Sequence, residues 1–263
     1  MRIATWNVNS VRTRAERITA FLEREDVDVL AMQETKTADA KFPYATFEAA
    51  GYEVAHVGVS QWNGVAIASR VGLDKVRDHF DGQPGFAKKG DPEIEARAVG
   101  AVCGGVDVWS LYVPNGRQIG DPHYDYKLQF LWSLADQVQP GELQVYMGDF
   151  NVAPRDEDVW DAAWFEGKTH VTEPERAAFQ MLLEAGLHQV THEDQYSFWD
   201  YKPMRFQKNE GMLIDFQLAT KPLFERVEKA YVDVEEREGK GASDHAPVIV
   251  EYDTRGLAYD EVR

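Results

Sequence analysis

Val145-Tyr146-Met147-Gly148-Asp149-Phe150-Asn151 is the stretch that decides how this chain is read. An apolar run of strand length ends in a carboxylate and a carboxamide two residues apart. Groups just past a buried strand are held rigidly, and these two can reach one oxygen-rich centre. The pattern recurs along the chain. Ile3-Ala4-Thr5-Trp6 runs into Asn7, and Val27-Asp28-Val29-Leu30-Ala31-Met32 runs into Gln33-Glu34. Met212-Leu213-Ile214-Asp215-Phe216 carries an acid inside an apolar run, and Ser243-Asp244-His245 stands just before Ala246-Pro247-Val248-Ile249-Val250. Carboxylates, carboxamides and an imidazole are the groups that hold a hard divalent cation and handle protons around it. One such cluster means little. Several along one chain predict a single metal-assisted hydrolytic site assembled from distant segments.

Outward from these clusters, strand-like and helix-like segments alternate, which predicts an α/β fold. Strands are expected at 2–8, 27–33, 52–57, 64–69, 97–103, 106–113, 145–148, 196–199, 212–218, 227–234 and 247–251. Residues 14–25 read as an amphipathic helix with Ala15, Ile18, Phe21 and Leu22 on one face. Residues 125–138 read as a second, with Leu128, Leu131, Trp132 and Ala135 at helical spacing. Thr172-Glu173-Pro174-Glu175 is a capping box that starts a third helix, running to about Ala185 and stopped by Gly186. The polar stretches 81–92, 114–122 and 200–211 read as binding loops. The strands divide near residue 113 into two groups, and two packed sheets flanked by helices would bring both to one edge. One catalytic domain over 1–253 and a loose tail over 254–263 are expected.

Bulk properties narrow the class. The 263 residues are 44% apolar, with seven Trp and thirteen Phe, which supplies a large core and argues against disorder. No apolar run nears the roughly 18 residues needed to span a membrane. The first residues enter a strand at once, without the pattern of a signal peptide. Cys103 is the single cysteine, so Cys-based zinc sites and internal disulfides are excluded. A cytoplasmic protein with no membrane partner is expected. The net charge of −17 (28 Lys and Arg against 45 Asp and Glu) argues by itself against a nucleic-acid partner. It says nothing, however, about a local basic face.

Six motifs in order carry a resemblance spanning residues 2 to 252. They are Trp6-Asn7, Gln33-Glu34-Thr35-Lys36, Leu111-Tyr112-Val113-Pro114-Asn115-Gly116, Gly148-Asp149-Phe150-Asn151, Phe198-Trp199-Asp200-Tyr201 and Ser243-Asp244-His245-Ala246-Pro247. Together the chain resembles the exonuclease III family of abasic-site endonucleases, within the endonuclease/exonuclease/phosphatase superfamily. The Gly-Asp-x-Asn and Ser-Asp-His motifs occur across the superfamily, while Gln-Glu-Thr-Lys together with Tyr-Val-Pro-Asn-Gly and Phe-Trp-Asp-Tyr is much more specific to the DNA-repair branch.

The resemblance implies a four-layer α/β sandwich, two packed mixed β-sheets flanked by helices, with Mg2+ or Mn2+ in a cleft at one edge. Glu34 would be the principal metal ligand, with Asn7 supporting it and Asn9 beside it. Asp149, Asn151, Asp244 and His245 complete the implied metal side. Asp149 would orient or deprotonate the attacking water, or serve the leaving group. Asn151 and Tyr112 would contact the scissile phosphate. His245 would stabilise charge on the phosphoryl oxygens, with Asp215 holding its tautomer. Phe198, Trp199, Met212 and Ile214 would line a pocket for a flipped-out, base-less sugar. Lys36, Arg117, Lys127, Lys202, Arg205 and Lys208 are candidates to grip phosphates, with Arg117 the best placed. One position departs from the family, which often has Arg where this chain has Leu213.

The implied substrate is double-stranded DNA with abasic sites or blocked 3′ ends, cut by a monomer. The competing reading is a phosphodiesterase for a non-DNA phosphodiester such as sphingomyelin or an inositol phosphate, and a third is a non-catalytic DNA-binding relative. The aromatic cluster and the Tyr-Val-Pro-Asn-Gly loop argue against the former. The full set of acids with His245 argues against the latter.

Overall fold

The structure is a computed structural model that describes residues 1–194 and 196–257. Among the described residues, twelve strands form two six-stranded sheets. In chain order they are β1 (Arg2–Asn7), β2 (Val29–Gln33), β3 (Glu53–Val57), β4 (Val65–Ser69), β5 (Asp74–Arg77), β6 (Ala98–Cys103), β7 (Val106–Tyr112), β8 (Gln144–Asp149), β9 (Leu187–Gln189), β10 (Asp215–Thr220), β11 (Val227–Val232) and β12 (Val248–Tyr252). The helices are α1 (Ala15–Arg24), α2 (Tyr44–Ala49), α3 (Pro122–Ala135), α4 (Ala162–Phe165), α5 (Glu173–Glu184) and α6 (Lys221–Phe224). Among the described residues no helix is long and apolar enough to cross a membrane.

The first sheet runs β11-β12-β1-β2-β4-β3 and the second β5-β6-β7-β8-β10-β9. Both are mixed. β1 with β2 and β7 with β8 are parallel, and the other pairs are antiparallel. Each parallel pair needs a crossover, which α1 and α3 supply. Ile3, Val29, Ala31 and Val250 of one sheet meet Val99, Val108, Val145 and Met147 of the other in the central core. The outer face of the first sheet packs Trp6, Leu30 and Ala66 on Ile18, Phe21 and Leu22 of α1 and Phe47 of α2. The outer face of the second packs Trp109, Tyr146 and Phe216 on Phe130, Leu131 and Leu134 of α3 and Phe179 and Leu182 of α5. The result is the expected four-layer sandwich.

Local chemistry fixes the element ends that matter. Asp121 caps α3, its carboxylate accepting from His123 N–H at 2.8 Å, with Pro122 in the first turn. Thr172 and Glu175 form the expected reciprocal capping box at the start of α5. Gly148 lets β8 approach β7, because a Cβ there would stand 1.9 Å from the Leu111 carbonyl oxygen.

Several expectations are corrected. The division near residue 113 fails. β5, β6 and β7 precede it yet lie in the second sheet, and β11 and β12 return from the C-terminal region to pair with β1. Residues 196–199 form no full strand; Phe198 makes only isolated bridges to Met212 and His245. The strand expected over 212–218 is β10, which starts at Asp215. Trp132 is exposed rather than part of the buried face of α3. Of the expected loose tail, Leu257 packs on the central core, and residues 258–263 lie outside the described residues.

Candidate active site

Parallel pairing puts the C-terminal ends of β1 and β2, and of β7 and β8, at one edge. Asn7 stands opposite Gln33, and Tyr112 opposite Asp149. β10 runs antiparallel to β8, so its first residue, Asp215, stands opposite Asp149. β12 runs antiparallel to β1, so the residues just before it, including His245, arrive at the same edge. This is why five distant polar clusters converge.

Asn7 bridges the two principal acids. Its Nδ2 donates to Glu34 Oε1 at 2.8 Å and to Asp149 Oδ2 at 3.0 Å, while its Oδ1 accepts from Asn9 N–H at 3.1 Å. Asp149 Oδ1 accepts from Asn151 N–H at 2.9 Å. Asp149 Oδ2 lies 3.7 Å from His245 Nε2. On the other side of the ring, His245 Nδ1 is 2.8 Å from Asp215 Oδ2, which also accepts from Ser197 Oγ at 2.6 Å. Glu34, Asp149 and His245 each offer a ligand atom, and the three atoms lie within 4.8 Å of one another. Among the described residues this is the one cluster of at least three acidic, imidazole or thiol side chains so disposed.

Electrostatics separates the roles. Burial pushes the Asp149 carboxyl up to about 7; the His245 charge opposes this, and Asp215 and Glu34 reinforce it. Burial alone would lower His245, but the Asp215 charge and hydrogen bond outweigh it, with Asp149 and Asp244 adding, and hold the imidazole up at about 10. Glu34 is half-buried, which would raise its carboxyl, yet the Lys36 ammonium and the Asn7 hydrogen bond keep it below the usual range. Burial, and then the Glu34 charge, push the Tyr112 phenol well above its ordinary value, so it stays a neutral donor.

The backbone at this edge is strained. Asn9, Glu34, Lys36, Arg117, Asn151 and His170 all have φ between 42° and 85° without being glycine. Such left-handed conformations persist only where surroundings hold them, and they concentrate at functional sites.

Other candidates fall in different places. Asp244 Oδ1 accepts from Asn9 Nδ2 at 3.0 Å, beside the cluster rather than within it. Phe198 lies against the His245 ring at 4.8 Å between centroids, and Met212 and Ile214 pack together with Phe165 and Val159. Trp199 is a correction. It is buried in a separate cluster with Tyr196, Val232 and Val248, and its indole N–H donates to Asn209 Oδ1 at 3.0 Å, so it does not line the pocket. Leu213, where the family often has Arg, packs into the core with Phe150 and Phe216.

The basic candidates also divide. Lys127 is a second correction, because it is fully buried and paired with Glu175 and so is unavailable to DNA. Lys36 is engaged by Glu34 Oε2 at 2.8 Å and by Asn9. Lys202 pairs with Asp200 at 3.1 Å. Arg205 pairs with Glu210 and lies over Trp160 at 4.9 Å. Arg117 is exposed and lines a cleft of about 290 Å³ with Lys168, His170 and Met212.

Three features escaped the sequence reading. Asn115, inside a quoted motif, donates from Nδ2 to Asn151 Oδ1 at 3.2 Å and meets His170 Nε2 at 3.3 Å. Its place between Pro114 and Gly116 is the signal that pointed there. Ser197 steadies Asp215, as noted above. His170 carried no sequence signal.

The sequence profile of the Endonuclease/Exonuclease/phosphatase family matches residues 4–245. Exodeoxyribonuclease III of Haemophilus influenzae is 29% identical over 273 residues, covering 96% of this chain and all of that protein. An AP endonuclease structure from Archaeoglobus fulgidus is 35% identical, with a TM-score of 0.88 over 96% of this chain and 99% of that one. The 3′ phosphatase NExo from Neisseria, bound to a product DNA hairpin, is 32% identical, with a TM-score of 0.90 over the same shares. The chain belongs to the endonuclease/exonuclease/phosphatase family, in its exonuclease III-type branch.

Proposed function

We propose that this chain is a metal-dependent DNA-repair nuclease that hydrolyses phosphoester bonds in double-stranded DNA. It cuts 5′ to abasic sites and clears 3′ ends by 3′→5′ exonuclease and 3′-phosphatase action. The observation that carries the reading is the continuous polar chain from Glu34 through Asn7 and Asp149 to His245 and Asp215 at one sheet edge. Likeness to an exodeoxyribonuclease III, an AP endonuclease and a 3′ phosphatase supports it.

The donor set suits Mg2+ or Mn2+, since Glu34 and Asp149 offer hard carboxylate oxygens and no thiolate is near. The Lys36 ammonium and the Asn7 amide already turn toward these acids, so the site favours positive groups there. Glu34 and Asp149 would hold such an ion, which would supply charge neutralisation at the scissile phosphate.

The side chains supply the rest. Asp149, with a carboxyl that titrates near neutrality, takes the proton of the attacking water. His245, kept protonated by Asp215, donates from Nε2 to a phosphoryl oxygen and stabilises the charge that builds there. Tyr112, kept neutral, donates a hydrogen bond from its phenol to the same phosphate. Arg117 meets the DNA strand from the exposed loop after β7.

The test is turnover on two duplexes, one carrying a single tetrahydrofuran abasic analogue and one a nick ending in a 3′-phosphate, with Mg2+ and with EDTA. Both are expected to be processed with Mg2+ only. Cleavage of neither duplex refutes the reading, and removal of the 3′-phosphate alone takes abasic incision out of it.

A further inference from the structure

Lys127 and Glu175 form an ion pair with both side chains fully buried, beneath the active site and outside the polar chain described above. Taking both charges out of water is costly, and a well-packed apolar pair of similar size often stabilises a fold as well or better. Beyond the α5 cap that Glu175 closes, the buried pair itself calls for a role other than stability.

Its hydrogen bonds supply one. An ammonium has three protons, and Lys127 Nζ has three acceptors. These are Glu175 Oε1, the Asn151 carbonyl at 2.5 Å and the Asn115 carbonyl at 3.3 Å. Glu175 is equally occupied. Oε1 also accepts from Thr169 Oγ1 at 2.6 Å and His170 N–H at 2.9 Å, and Oε2 accepts from Thr172 N–H at 3.1 Å and Thr172 Oγ1 at 2.7 Å. Two side chains thus join three segments around the cleft: the loop after β7, the loop after β8 and the approach to α5. The two carbonyls that Lys127 holds belong to the residues whose carboxamides meet, Asn115 and Asn151. Asn151 has φ of 51°, a conformation that needs such holding.

We propose that Lys127 and Glu175 are positioning residues for hydrolysis, holding the Asn115–Asn151 carboxamide pair in place at the cleft through their backbone carbonyls. The proposal rests on the reading of the site as a phosphoester hydrolase. An apolar pair can fill the same space but cannot bind two carbonyls. Misplacement of a positioning group by an ångström costs about 100-fold in rate.

The experiment compares wild type with the Lys127→Met/Glu175→Leu double variant, reading melting temperature, kcat and KM on the 3′-phosphate duplex with Mg2+. The carboxamide NH2 resonances of Asn115 and Asn151 give a second readout independent of turnover. The expected result, read at a temperature where both proteins are folded, is a melting temperature lowered by the loss of the Glu175 cap and its hydrogen bonds, kcat lower by about 100-fold, KM little changed and both resonances shifted. A double variant with wild-type kcat and unshifted resonances overturns the proposal. Inactive wild type with shifted resonances in the variant would instead strike the functional reading and leave the positioning intact. Should the double variant fail to fold, Lys127→Gln replaces it, at a temperature where its circular dichroism matches wild type. Unchanged kcat in that variant overturns the proposal equally.

Discussion

The Asp215 carboxylate stands 2.8 Å from Nδ1 of His245, while Nε2 of the same ring faces Asp149 at 3.7 Å. One acid therefore fixes the ring and its charge, and the ring presents its other nitrogen to the reacting side. His245→Ala and Asp215→Ala are each expected to lower kcat by orders of magnitude. The double variant should lose less than the product of the two, because both changes remove one unit. A double-mutant cycle in which the losses multiply independently would separate the two side chains.

Trp199 lies in the core, so its substitution tests placement. Trp199→Ala should lower stability by about 3–5 kcal/mol, as for other buried aromatics cut to Ala. Assayed where it remains folded, it should lose abasic incision and 3′-phosphate removal in equal proportion. A selective loss of abasic incision would return Trp199 to the sugar pocket.

Much of the site was legible because strand ends are local signals. Apolar runs such as Val145–Gly148 announce where rigid backbone stops, and the acid that follows is held there. Sheet membership was not legible. The pairing of β1 with β12 joins the two ends of the chain, and no local pattern encodes it. Lys127 was misread because charge suggests surface. Yet it sits one turn from Tyr124 and Leu131, which share the buried side of α3. Trp132, the next position round the helix from Leu131, points outward. His170 acquires its place only from the long-range contact with Asn115 and could not be read from the sequence.

The charge of −17 predicts a weak dependence of DNA binding on salt. Lys36, Lys202 and Arg205 are tied to acids, Arg117 stands 3.6 Å from Asp121, and Lys127 is buried, which leaves few free cations at the cleft. Counterion release gives a slope of about −0.9 per phosphate neutralised, so three to five contacts give about −3 to −5. Affinity for an abasic duplex measured against potassium chloride at fixed Mg2+ checks this, repeated with Arg117→Ala. A slope steeper than about −8, or one unmoved by Arg117→Ala, contradicts a small basic grip on an acidic body.

Stability should fall as pH drops from about 6.5 toward 4. Burial holds His56 and His123 down at about 4 and His170 at about 3, so these rings stay neutral in the fold but take protons once unfolded. Their contribution is full above the unfolded value of 6.5 and is lost as pH falls through the folded values. Asp149, raised to about 7, acts in the opposite sense by one proton, and His245, raised to about 10, is already charged in this window. His192 is lowered by burial as well and Asp233 is raised by it, so four imidazoles stand against two carboxyls and outweigh them. Melting temperatures across this range check the sign, and His123→Asn should lessen the slope. A melting temperature that rises on acidification contradicts the assignment.

Glu34 and Asp149, joined by Asn7 at the sheet edge, are the proposed holders of the cation. The direct measurement is turnover of the 3′-phosphate duplex by wild type and Glu34→Gln across a Mg2+ titration, with Mn2+ binding followed in parallel by calorimetry. Glu34→Gln removes a charge and leaves the shape. It is expected to keep the wild-type melting profile, lose most turnover and bind Mn2+ at least about tenfold more weakly, a difference of about 1.4 kcal/mol. Wild-type turnover that survives EDTA, or a Glu34→Gln variant with full activity and unaltered Mn2+ affinity, would contradict the central claim.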